Sequence, residues 1–166
     1  MSVPTAKRTR YDSEEPLGSG KLDVDDRFAP QPVARWFKPA AIAAVVFMAL
    51  GAVTYISHVA TDPAGLPLDQ RQLFNAEPWW MTGAYGLAVW PGLVGAVLLL
   101  LRRKLAEPAL LVSLLGTVIW FAGFLIVPAL REGMSSDALL IPLIILALTW
   151  TIFWFARHSR TRGWLR

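Results

Sequence analysis

The 166-residue sequence contains no cysteine, so disulfides, thiolate metal centres and cysteine nucleophiles are excluded together. Charge is also scarce: 17% of the residues are Asp, Glu, Lys or Arg, against 55% apolar. The charges that exist avoid four long runs, 40–59, 79–101, 109–130 and 138–156, none of which holds Asp, Glu, Lys, Arg, Asn or Gln. Pumps and ion-coupled carriers place titratable or coordinating groups inside such runs, and here His58 at one edge is the nearest approach to that pattern. There is no phosphate-binding glycine loop, no zinc-binding helix motif and no nucleophile elbow. The expectation is therefore a protein that is not an enzyme, with no cofactor and no metal.

What is present is apolar length. A hydrocarbon core of about 30 Å takes about 20 helical residues at about 1.5 Å each, and every run is near that length. A barrel strand needs only about 10 residues with one polar face, and no such alternation occurs. Four helices that are apolar all round also exceed what so small a chain could cover with polar surface in water. The expected fold is an all-α membrane protein, a four-transmembrane-helix up-down bundle. Pro39, Pro78 and Pro108 mark the starts of spans, where a missing amide hydrogen costs little. The links between spans two and three and spans three and four are short, which makes those neighbours antiparallel. Residues 1–38 mix both charges with proline and glycine and show no apolar period, so they are expected to form a disordered cytoplasmic tail. Residues 39–156 form the bundle and 157–166 a basic cytoplasmic tail.

The basic residues set the orientation. Lys7, Arg8, Arg10, Lys21, Arg27, Arg35, Lys38, Arg102, Arg103, Lys104, Arg157, Arg160, Arg162 and Arg166 fall on one side, and only Arg71 and Arg131 on the other. The positive-inside rule then puts both termini in the cytoplasm. The opposite loops carry Asp62, Asp69, Glu77, Glu132 and Asp137 and are net negative. Trp36, Phe37, Tyr55, Trp79, Trp80, Trp154 and Phe155 lie at span ends, as interfacial aromatics do. A cleaved signal peptide is an unsuitable reading of the first run, which follows a long polar segment and lacks a small-residue cleavage pattern.

The second run holds the most information. At about 100° per residue, Ala84, Ala88, Gly92 and Gly95 form a narrow stripe along which a second helix can approach closely. Trp79, Gly83, Gly86 and Trp90 fall on the opposite side. Trp79, Trp80, Tyr85 and Trp90 read in two ways, as ligand-facing rings that stack on a flat solute or as belt and packing aromatics. Pro91 frees the carbonyl of Leu87 and is expected to kink the helix. His58 and Asp62, spaced i, i+4, are too few for a metal site and read equally well as a chain exit. Ser113 and Thr117 are expected to bond to a neighbouring helix or to their own backbone. Residues 69–74 can form a short surface helix with Leu68, Leu73 and Phe74 toward lipid. Arg102, Arg103, Lys104, Arg157, Arg160 and Arg162 are read as lipid anchors, each worth about 1 kcal/mol near anionic headgroups. No folded basic module accompanies them, which argues against nucleic acid as a partner.

Leu73-Phe74-x-x-x-Pro78-x-Trp80-x-x-x-x-Tyr85, then Ala88-Val89-Trp90-x-Gly92-Leu93-x-Gly95-Ala96, a leucine run and Arg102-Arg103-Lys104 form one motif set. With the closing Phe155-Ala156-Arg157 and Arg162-Gly163-Trp164-Leu165, it resembles a group of small four-helix bacterial inner-membrane proteins, often labelled sugar transporters. The likeness covers residues 40–166. It implies the four-helix topology and a place in the bacterial inner (cytoplasmic) membrane, and it carries no site residues across. Two functions follow as expectations. The first is a non-enzymatic component that packs into a homo-oligomer or with another membrane protein through the Ala84/Ala88/Gly92/Gly95 stripe. The second is a small-solute, sugar-type transporter using Trp79, Trp80, Tyr85 and Trp90.

Overall fold

The computed structural model of the chain describes residues 33–133 and 139–166. Six helices cover most of them: α1 (Phe37–Ala60), α2 (Leu68–Ala76), α3 (Trp79–Leu100), α4 (Ala106–Ile126), α5 (Pro128–Gly133) and α6 (Leu140–Thr161). Four of these, α1, α3, α4 and α6, are long and apolar enough to cross a membrane. The described residues thus have the all-α, four-spanning architecture of a multi-pass membrane protein. Most of the tail expected over 1–38 lies outside the described residues, as does most of the loop between the third and fourth runs. Phe37 and Lys38 already belong to α1.

Proline sets the element boundaries. Pro78 is the residue from which α3 starts, and Pro39 and Pro108 sit in the first turns of α1 and α4. The third run, continuous in sequence from 109 to 130, becomes two helices. Val127 turns extended because the following Pro128 disfavours helical geometry in its predecessor, and the chain resumes as α5 with Leu130 buried beneath it. Pro91 does not end α3, which continues as one helix to Leu100.

The helices pack in the order α1, α3, α4, α6, with the α3–α4 contact the most extensive. Gly116 of α4 lies so close to α3 that an added Cβ would stand 2.6 Å from the Ala88 backbone nitrogen. Such an approach is how helices hold together where water supplies no drive. α1 and α6 are the two edges of this arc and meet mainly at the end carrying the termini, where Trp36 and Phe37 each lie 5.4 Å from the Phe155 ring. The main core gathers at that end, from Phe37, Ala41, Leu99, Leu110, Ala156 and Trp164 among others.

The same end is locked by two matching helix terminations. α3 closes with Arg103 N donating to Leu98 O and Arg102 N to Leu99 O, around Arg102 at φ +60. α6 closes likewise, with Trp164 N donating to Ser159 O and Gly163 N to Arg160 O, around Gly163 at φ +70. Both are the six-to-one, five-to-two pattern that satisfies the last carbonyls of a helix. The segments that emerge then pair: Arg166 N donates to Arg102 O at 2.6 Å and Lys104 N to Arg166 O at 3.0 Å.

Candidate functional site

The small-residue stripe is fully used inside the chain. Ala84, Ala88, Gly92 and Gly95 are all buried, and their partners are on α4 and α1. A Cβ on Gly92 would meet Ser113 Oγ and Met48 Sδ, and one on Gly95 would meet the Leu110 side chain. Ser113 Oγ donates to the Ala88 carbonyl, a bond between helices, while Thr117 donates to its own helix at Ser113 O. The four residues pack helices as expected, but their partner is α4 of the same chain, so the stripe offers no face to a second molecule.

The four aromatics do not converge. Trp79 is 86% exposed and Trp90 about half exposed, while Trp80 is half-buried at the start of α3. Tyr85 points into the arc, where it stacks on Trp120 at 5.1 Å and meets Tyr55 edge-on at 5.2 Å, and Trp90 also meets Tyr55 edge-on, at 6.3 Å. Tyr55 reaches this position because Gly86 leaves room: a Cβ there would lie 3.0 Å from the Tyr55 hydroxyl. Trp120 continues the cluster to Phe124 at 4.9 Å.

Titratable groups meet at the end opposite the termini. His58 near the end of α1 places Nε2 3.3 Å from Glu77 Oε2, and Thr82 of α3 donates to Glu77 Oε1 at 3.4 Å. Burial pushes the Glu77 carboxyl above the usual carboxylate range, opposed in part by His58 and the Thr82 hydrogen bond. Asp62, paired with His58 by spacing alone in the sequence, instead accepts from Ala64 N and caps a short 3-10 turn, Pro63–Gly65. Glu77 is the partner that spacing could not reveal, because it arrives from the far end of α2. That helix forms where expected, with Leu68 exposed, but Phe74 packs tilted against the His58 ring at 4.9 Å and Leu73 reaches Gly133, so both face protein rather than lipid.

Beside this pair lies a cavity of about 390 Å³, with His58, Gln70, Phe74, Glu77, Phe124 and Leu130 in its wall. A second cavity, about 240 Å³ and mostly apolar, sits deeper between α1, α3, α4 and α6, with Tyr85 and Trp120 in its wall. A third space of about 370 Å³ continues along the α1–α6 seam between Trp36, Ala43, Phe47, Leu148 and Trp154. Among the described residues, no group of three or more His, Cys, Asp or Glu is placed to hold a metal ion.

Of the basic residues read as lipid anchors, Arg103, Lys104, Arg157 and Arg162 are exposed. Arg160, also exposed, pairs with Glu107 at 2.6 Å, and Arg102 Nε donates to the Trp164 carbonyl at 3.1 Å. The closing tail is thus partly structural: Trp164 and Leu165 are core residues, which the hydropathy of a basic segment gives no reason to expect. No protein-family model, curated protein or solved structure matches the chain.

Proposed function

We propose that this is a non-enzymatic integral membrane protein, both termini cytoplasmic, that completes its helix arc by packing its α1–α6 seam against a second copy of itself. The observation that carries this reading is the open seam. α1 presents Ala40, Ala43 and Ala44 there, α6 presents Leu148, Ile152 and Trp154, and small against large is the shape match that helix pairing in lipid requires. The seam replaces the α3 stripe as the associating surface, since the stripe is already occupied within the chain. Exposed Arg103, Lys104, Arg157 and Arg162 fit the inner headgroup region, and the resemblance to bacterial inner-membrane proteins fits that membrane.

The absence of cysteine makes the test clean. Ala43→Cys, on the seam, should give a disulfide-linked dimer when membranes are oxidised, whereas Leu115→Cys, on the exposed face of α4, should stay monomeric. A crosslink from Ala43→Cys to a different protein would assign the seam to a partner instead. Monomers from both variants would end the proposal.

Small-solute transport is a second reading, favoured by one observation: Phe124 lines the 390 Å³ cavity, Tyr85 and Trp120 line the 240 Å³ cavity, and the three rings form one continuous cluster between them. Of the expected ligand-facing residues only Tyr85 supports it. Solute uptake by vesicles containing this protein alone, lost on Tyr85→Ala, would establish transport. No uptake across a panel of sugars would remove it.

A further inference from the structure

The cavity beside His58 and Glu77 belongs neither to the seam nor to the packing of the spans, and its chemistry selects a ligand. Glu77 is a carboxylate with only 14% side-chain exposure, and its two neighbours stand at 3.3 and 3.4 Å. Both distances are longer than the roughly 2.7–2.9 Å of a tight charge-assisted bond. The obvious counter-ion, Arg71 of α2, is spent elsewhere: its guanidinium donates to the carbonyls of Pro63, Ala64 and Leu66. Arg131 and Glu132 of α5 are exposed, and α4 contributes Phe124 and no titratable group to the cavity. From α3, Tyr85 approaches His58 with rings 6.1 Å apart. The pocket therefore holds a weakly partnered anion, walled by Phe74 and Phe124, whose ring faces attract cations.

We infer that this cavity binds an ammonium ion carried on a small apolar body, with the charge at the Glu77 carboxylate and the body against Phe74 and Phe124. His58 then acts as the resident partner that the ligand displaces. Protonation of Glu77 removes the attraction, so acid weakens binding. The inference does not depend on the seam, because it concerns equilibrium binding to a single chain.

The test uses the full chain in a non-ionic detergent and titration calorimetry with benzyltrimethylammonium, against benzyl alcohol and phenylacetate as neutral and anionic counterparts. The cation should bind at neutral pH while the other two do not, and Glu77→Gln should weaken it by about tenfold or more. Binding to the wild type should weaken as the pH is lowered, and Glu77→Gln should remove that dependence. If Glu77→Gln does not elute as the wild-type species, the comparison of the three compounds on the wild type decides alone. Equal binding of benzyl alcohol, or unchanged affinity in a folded Glu77→Gln, would overturn the inference. Displacement of the probe by phosphatidylethanolamine but not by phosphatidylglycerol would assign the ammonium to a lipid headgroup. Displacement by neither would assign it to a free amine.

Discussion

At the scale of single residues, the interior is governed by space and by where a charge is tolerable. Gly116 and Gly83 are both helical glycines in membrane-crossing helices, yet a Cβ at Gly116 would strike the α3 backbone and one at Gly83 would meet nothing within 4 Å. Backbone cannot rotate aside as a side chain does. Gly116→Ala should therefore lower stability in detergent by about 1–3 kcal/mol, the usual cost of overpacking, and Gly83→Ala should be neutral or slightly stabilising through its lower unfolded-state entropy. Thermal unfolding of the two variants side by side would check this. Glu77 makes the corresponding electrostatic prediction. Its folded pKa is raised by burial, so the folded chain holds the proton more tightly than the unfolded chain does. That contribution to stability is complete below the ordinary glutamate pKa of about 4.3 and is lost as pH rises through the raised folded value. Glu77→Gln should remove this slope and unfold at nearly the same temperature across the window. A retained slope would mean that another group carries it.

At the scale of elements, the carboxyl-terminal segment is where sequence and structure part most. The four spans and their prolines are legible because each is a local property: an unbroken apolar run, and a ring that fits only a first turn. The packing role of Ala84, Ala88, Gly92 and Gly95 is legible too, from helical periodicity. What periodicity cannot supply is the partner, since Gly116, Ser113 and Leu110 come from another helix. Residues 164–166 are harder still. A basic, short, post-span segment reads as a lipid anchor, while its fate is decided by Gly163, which turns the chain back, and by hydrogen bonds to Arg102 and Lys104, about sixty positions earlier in the chain. Trp164 is 4% exposed and its Nε1 finds no hydrogen-bond partner. Two outcomes of different size follow. Trp164→Ala should cost about 3–5 kcal/mol by leaving a cavity among Trp36, Phe37 and His158. Trp164→Phe keeps most of the ring and deletes a buried unpaired donor whose desolvation costs about 1–3 kcal/mol, so it should be far milder than Ala. Unfolding in detergent reads both, and equal losses would show that the indole nitrogen is satisfied.

At the scale of the whole molecule, the distribution of residues is the reverse of that in a water-soluble bundle. Large apolar side chains cover the outside, among them Val46 and Leu50 on α1, Leu115 on α4 and Ile144 on α6, whereas Ser113, Thr117, Thr149 and Ser159 are buried. Contiguous apolar exposure on this scale is rare on a soluble monomer. The buried hydroxyls are tolerated because each donates to a carbonyl, Ser113 to α3 and the other three to their own helices. The two environments predict opposite effects for one change. Val46 lies near the middle of α1 and is 53% exposed. In water, Val46→Lys would place a charge on an exposed surface, be nearly neutral and raise solubility. In lipid the same ammonium sits at the depth where insertion costs about 3 kcal/mol, and little of that is recovered because the side chain is too far from either interface to reach it. Val46→Lys should therefore reduce the fraction of chain that resists alkaline carbonate extraction, while Arg103→Lys, just past the end of a span and keeping its charge, should leave it unchanged. A carbonate-soluble, folded wild type would refute the lipid-facing assignment of all four helices, and with it the reading of the α1–α6 seam as a surface closed within the bilayer.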